Sequence, residues 1–288
     1  MNDIRLVCNF NIDLINNFQG KAIVIKTNNI DEIQHINHVV NKENKLHCIV
    51  VNHNGALSTL PVTDNWEGIP IHIFATRFGN FMQFIEQKHI YHKLSIRVFL
   101  SAEIETNYRD LQILSSFGID CGLYFPNKSI NWEKLNDLMY YSAYGKVQHA
   151  SIEPFDFVIK KFEYNTPIDF SNVYFENPHQ YLHISDEGKV ALSGLDLHNC
   201  KFITENINDL ENIHQSSEYK NVLNNWQNFF TKLEDCSCCP SWRICLGKFN
   251  HISDKTNTCQ PFFNDLMDAA ELFHENKSKF KTRELCQP

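Results

Sequence analysis

Ser95–Phe125 reads SIRVFLSAEIETNYRDLQILSSFGIDCGLYF, and the order of elements within it decides the fold. Ser95 to Leu100 is an apolar, β-rich run of strand length, and Cys121 to Phe125 is a second. Between them, Tyr108 to Phe117 has helical spacing of its apolar residues. Thr106 stands where a helix N-cap belongs, and Gly118 where a left-handed C-cap belongs. A strand, a helix and a strand in this order form a βαβ unit, whose crossover makes the two strands parallel.

The alternation continues in both directions. Upstream, strand-length runs occur at Ile4 to Phe10, Ala22 to Lys26, His47 to Val51 and Ile71 to Ala75, with helices expected at Asp31 to Asn41, capped by Asp31, and at Phe78 to Tyr91. Downstream, Trp132 to Tyr144 is helical in period, and His149 to Phe162 is read as a further strand at the edge. Residues 1–176 are therefore expected to form an α/β domain with a partial (βα) barrel-like parallel sheet. From residue 177 the character changes. Tyr181 to Leu192 reads as a hairpin turned by Asp186, Glu187 and Gly188, Glu205 to Phe230 is polar and helical, and Phe262 to Glu275 is an amphipathic helix before a solvated tail. Residues 177–288 are expected to form a small, loop-rich second domain.

The 288 residues are 43% hydrophobic, enough for a sizeable core, and the formal net charge is −8. That sign argues against nucleic acid or an anionic membrane as partner. No window holds the roughly 18 apolar residues of a membrane span, and the first ten residues lack the build of a signal peptide. The expectation is a cytoplasmic protein.

Ten cysteines are unevenly placed, and Cys236 to Cys245 reads CSCCPSWRIC. Cys236, Cys239, Cys245 and the later Cys259 give C-x2-C-x5-C-x13-C. Two cysteines with two residues between them turn their sulfurs toward one centre, and two more complete the shell. Four thiolates suit tetrahedral zinc or an iron–sulfur cluster. The alternative is a set of buried or disulfide-bonded cysteines. Cys238 is the spare thiol of the group.

A hairpin with a central glycine, a polar helix ending in Trp226, C-x2-C-x5-C and a late cysteine before an FF-helix together resemble the SPASM domain of radical SAM peptide-maturing enzymes. The resemblance implies that Cys236, Cys239, Cys245 and Cys259 bind one [4Fe–4S] cluster, and that the preceding βα units correspond to the partial barrel of those enzymes. A full domain of this type continues as C-x2-C-x5-C-x3-C, has a cysteine pair near the hairpin and holds two clusters. Here Phe249 stands at the fourth position of that run and Ser193 near the hairpin, so one site is kept and the other lost. The C-x3-C-x2-C triplet of radical SAM chemistry is also absent: Cys8 is followed by NFNIDLINN.

The resemblance thus implies a component of a ribosomally synthesised peptide (RiPP) maturation system. It carries one cluster and binds a precursor peptide or a partner radical SAM enzyme, for instance by β-addition at an open sheet edge, without cleaving S-adenosylmethionine. An accessory subunit is favoured over an enzyme. The alternatives are a zinc-stabilised binding module, and an enzyme using the cluster for electron transfer or non-radical modification.

Other constellations carry less. His35 with His38 and His89 with His92 are spaced as helical pairs without the carboxylate of a metal signature. Glu103, Glu105 and Asp110 follow a strand, where helix capping is their simplest role. Tyr140, Tyr141 and Tyr144 form a helical aromatic group suited to packing, Cys8, Cys48 and Cys121 are expected as core thiols, and Cys200 is isolated.

Overall fold

Strands form at β1 (Arg5–Asn9), β2 (Ala22–Thr27), β3 (Lys45–Ala56), β4 (Ile71–Arg77), β5 (Ile96–Ser101), β6 (Cys121–Tyr124), β7 (Ile152–Glu153), β8 (Tyr181–Ile184) and β9 (Val190–Ala191). The helices are α1 (Ile12–Ile15), α2 (Ile33–Val40), α3 (Phe81–Tyr91), α4 (Thr106–Ser116), α5 (Trp132–Tyr144), α6 (Phe155–Lys161), α7 (Gly194–His198), α8 (Trp242–Cys245) and α9 (Gln260–Glu284). This computed structural model describes residues 4–126, 130–163, 168, 170–207, 213–221, 224, 236, 239–245, 249 and 259–284. Half of the stretch from Glu205 to Phe230, expected as a helix, lies outside the described residues. Two compact units are present, Met1–Ser101 with Tyr174–Gln227, and Ala102–Val173 with Asn228–Pro288. Each takes sequence from both sides of residue 176.

In the first unit the strand order is β5-β4-β3-β2-β1-β8-β9. All neighbours from β5 to β8 are parallel, and only β9 runs antiparallel, to β8. Among the described residues β9 ends this order and the sheet does not close on itself. Because β1 to β5 are each adjacent to the next in the chain, right-handed crossovers place α1 to α3 on one face. Toward that face point Leu6, Cys8, Ile23, Ile25, Ile49, Val51, Ile71 and Ile73, all buried. The opposite face has its own cluster of Val7, Val24, Cys48, Val50, Phe175 and Tyr181, with Phe74 packed against it. Burial on both faces is why these strands read as continuous apolar runs. The expected hairpin is present, with Gly188 at φ +83° in its turn.

In the second unit β6 and β7 pair in parallel, and α9 packs against α6 and α5. The strand expected over His149 to Phe162 is limited to Ile152–Glu153; Phe155–Lys161 is helix. Phe155, Val158, Ile159 and Phe162 are buried at helical spacing, and the Glu153 carboxylate accepts the Phe157 N–H at 2.9 Å in the first turn. The expected caps shift slightly. Thr106 is the first residue of α4 rather than its cap, and Asp31 lies within a short 3-10 turn whose cap is Asn29, accepting the Asp31 N–H at 3.1 Å. Gly118 is left-handed as expected, at φ +76°.

Candidate metal centre

The cysteines expected as ligands lie in the second unit on two short pieces of chain. The first is a turn followed by α8: the Cys239 N–H donates to the Cys236 carbonyl at 3.2 Å, and the Trp242 N–H donates to the Cys239 carbonyl at 3.2 Å. This winding carries the chain through five residues to Cys245, which like Cys236 is buried. The second piece is the start of α9, where the Cys259 carbonyl accepts the Phe263 N–H at 3.3 Å. The two pieces are pinned by Ser241, fully buried before α8, whose Oγ donates to Asn264 Oδ1 at 2.7 Å.

The thiols feel one another. Burial pushes the Cys259 thiol up to about 11, and the neighbouring Cys239 and Cys236 push it the same way. That influence puts Cys239 and Cys236 in the vicinity of Cys259. None of Cys8, Cys48, Cys121, Cys200, Cys236, Cys239, Cys245 and Cys259 is disulfide-bonded. Among the described residues no three His, Cys, Asp or Glu side chains are drawn together as a metal-holding group. The four cysteines, two of them buried and two half-buried, therefore fit a soft cation or cluster by donor chemistry, without coordination geometry. Cys238 lies outside the described residues.

The positions at which cysteines are missing have other work. Phe249 is buried within rings of Phe125 at 5.2 Å, Phe263 at 5.4 Å, Phe170 at 5.8 Å and Trp132 at 6.1 Å. Ser193 caps α7, its Oγ accepting the Asp196 N–H at 3.0 Å. Cys200 is exposed just past α7 with a left-handed backbone. Cys8, Cys48 and Cys121 are buried, and burial raises the first two thiols to about 12, which makes them poor nucleophiles or ligands.

The remaining candidates stay apart from the cysteines in role. His35, His38, His89 and His92 are exposed, as are Glu103 and Glu105. Tyr140 and Tyr144 are stacked at 5.7 Å on the exposed side of α5, and the Tyr140 hydroxyl donates to Asp265 Oδ2 at 3.1 Å. Polar residues inside the strands are the ones a pattern-based reading passes over. His72 in IHIFA, Arg97 in SIRVFL and His183 in YLHI each occupy a sheet position that alternation marks as half-buried or buried. The signal for them is a charged or imidazole side chain interrupting an otherwise apolar strand.

No protein-family model, curated protein or solved structure matches the chain. Among the described residues no helix is long and apolar enough to cross a membrane.

Proposed function

We propose that the protein is a cytoplasmic component of a RiPP maturation system, holding one SPASM-type [4Fe–4S] cluster on Cys236, Cys239, Cys245 and Cys259. It binds a precursor peptide or a partner radical SAM enzyme. One observation supports this reading above others: cysteines at C-x2-C-x5-C-x13-C spacing, of which Cys239 and Cys236 lie close enough to Cys259 to add to the rise of its thiol. The open, singly wound sheet of the first unit is in keeping with a partial (βα) barrel. When bound, the cluster supplies electron transfer and a cross-link between α8 and α9. The chain's own part is to bind and orient. It contains no C-x3-C-x2-C triplet, so cleavage of S-adenosylmethionine falls to the partner. Peptide addition at a sheet edge is the weaker route to binding, since β7 and β9 are two residues each and Thr204 already bridges Val190 on β9.

The test is anaerobic purification of the full chain. Brown protein with equal iron and sulfide, lost in Cys239→Ala, is the expected result. Colourless protein with stoichiometric zinc would instead favour a zinc-stabilised binding module. Reduced, reconstituted protein should release no 5′-deoxyadenosine from S-adenosylmethionine; release above a buffer control would overturn the accessory role.

A further inference from the structure

Four basic side chains stand near the starts of neighbouring strands in the first unit: Arg5 on β1, His47 on β3, His72 on β4 and Arg97 on β5. His72 and Arg97 are register partners, and Val50, of the face that carries Phe175 and Tyr181, is the partner of His72 on its other side. Aromatic rings enclose the group. His72 stacks on Phe175 at 5.2 Å and tilts against Phe99 at 5.5 Å. His47 meets Phe175 edge-on at 6.0 Å and lies 6.4 Å from Tyr181. The Arg5 guanidinium lies over the Tyr181 ring at 5.4 Å and donates to its hydroxyl at 2.9 Å.

Two further features make this more than packing. Among the described residues, the buried His72 Nδ1 has no hydrogen-bond partner, an arrangement that costs free energy unless something else meets it. Phe175, the ring that touches both histidines, has φ +61°, a left-handed backbone that is costly for a bulky residue. It is held there by its neighbours: its carbonyl faces His183 Nε2 at 3.1 Å, and the adjacent Glu176 accepts the Gly194 N–H at 2.9 Å. Burial and positive charge nearby keep the two imidazoles neutral. His72 is pushed down by burial and then by Arg97 and His47, and His47 is pushed down by burial and then by Arg5 and Lys45.

We propose that this cluster is a binding site for an oxyanion group, a carboxylate or a phosphate, that accepts a hydrogen bond from His72 Nδ1 and lies near the guanidinium charges of Arg5 and Arg97, beside the His47 ring. An anionic acceptor satisfies the buried His72 Nδ1 and meets the positive charge of the two guanidinium groups. A cation or metal ion meets the wrong sign, and an apolar ligand leaves Nδ1 unmet. The flat rings of Phe99 and Phe175 suit an oxyanion carried on a planar or slender molecule. None of these residues belongs to the cysteine neighbourhood, so the site stands or falls independently of the cluster.

The experiment follows the histidine ring signals of the full-length protein by NMR at fixed neutral pH. Inorganic phosphate and acetate are titrated separately, with chloride as the ionic-strength control. A saturable shift of the His72 and His47 signals with phosphate or acetate, absent with chloride, is expected, and the more potent arm identifies the source. His72→Phe keeps a ring between Phe99 and Phe175 and should weaken binding at least about tenfold. His47→Gln, at a half-buried position, should weaken it several-fold and decides the matter should His72→Phe not fold. No saturable response to either anion, or unchanged affinity in a folded variant, overturns the proposal.

Discussion

His72 is neutral in the folded protein at pH 7, because burial first, and Arg97 and His47 next, push its pKa from 6.5 down to about 3. The unfolded chain takes up this proton once the pH drops below 6.5, while the folded chain resists until near pH 3. The residue's contribution is therefore complete above pH 6.5 and is lost progressively as the pH falls toward 3. Urea unfolding of the wild type should weaken steeply between pH 7 and pH 5. His72→Phe should lose about 1–2 kcal/mol less over the same interval. Parallel pH profiles for the two proteins would place the acid sensitivity in other groups. That one imidazole carries so much is a consequence of position: on β4 it is flanked by Val50 and Arg97, and its Nδ1 is buried.

The elements legible in the sequence are those whose pattern has one reading. β1, β2 and β5 are apolar runs with buried side chains on both faces, β4 alternates buried with half-buried positions, and α5 begins and ends where its period does, with Asn131 accepting the Lys134 N–H at 3.1 Å. HASIEPFDFVIKKF admits two readings, since an apolar stretch of that length suits a strand or a helix; Pro154 and the spacing of Phe155, Val158 and Ile159 decide for α6. The cysteine spacing is equally legible, but the approach of Cys259 to Cys236 and Cys239 is not. It depends on the docking of α8 beside α9, to which the buried Ser241 contributes a hydrogen bond to Asn264. Ser241→Ala leaves Asn264 Oδ1 without that donor. It should cost about 1–3 kcal/mol in a thermal or urea melt and reduce iron retained on purification. A melt unchanged from wild type would show that aromatic packing alone docks the two helices.

The two compact units draw on different cores. In the first, Ile, Val and Leu from parallel strands fill both sides of the sheet, and β8 joins through pairing of Arg5 with Tyr181, a contact too distant in sequence to be read from local pattern. In the second, Trp132, Phe155, Phe170, Phe249, Phe262 and Phe263 pack ring against ring, and Cys236 and Cys245 are buried in the same unit. A ligand held by Cys236, Cys239, Cys245 and Cys259 ties two short pieces of backbone together, so its binding energy is folding energy for those pieces. Hydrogen exchange of the full chain should therefore respond unevenly to Cys259→Ser. Amides of α8 and the first turns of α9, including the Phe263 N–H bonded to the Cys259 carbonyl, should lose protection relative to the wild type. Amides of β1 to β5 should keep theirs, because the cluster of Val7, Val24, Cys48 and Val50 contains none of the four ligands. Unchanged exchange in α8 and α9 would remove the cysteines from any cross-linking role, and equal loss in both units would show that one cooperative transition, rather than two cores, governs the chain.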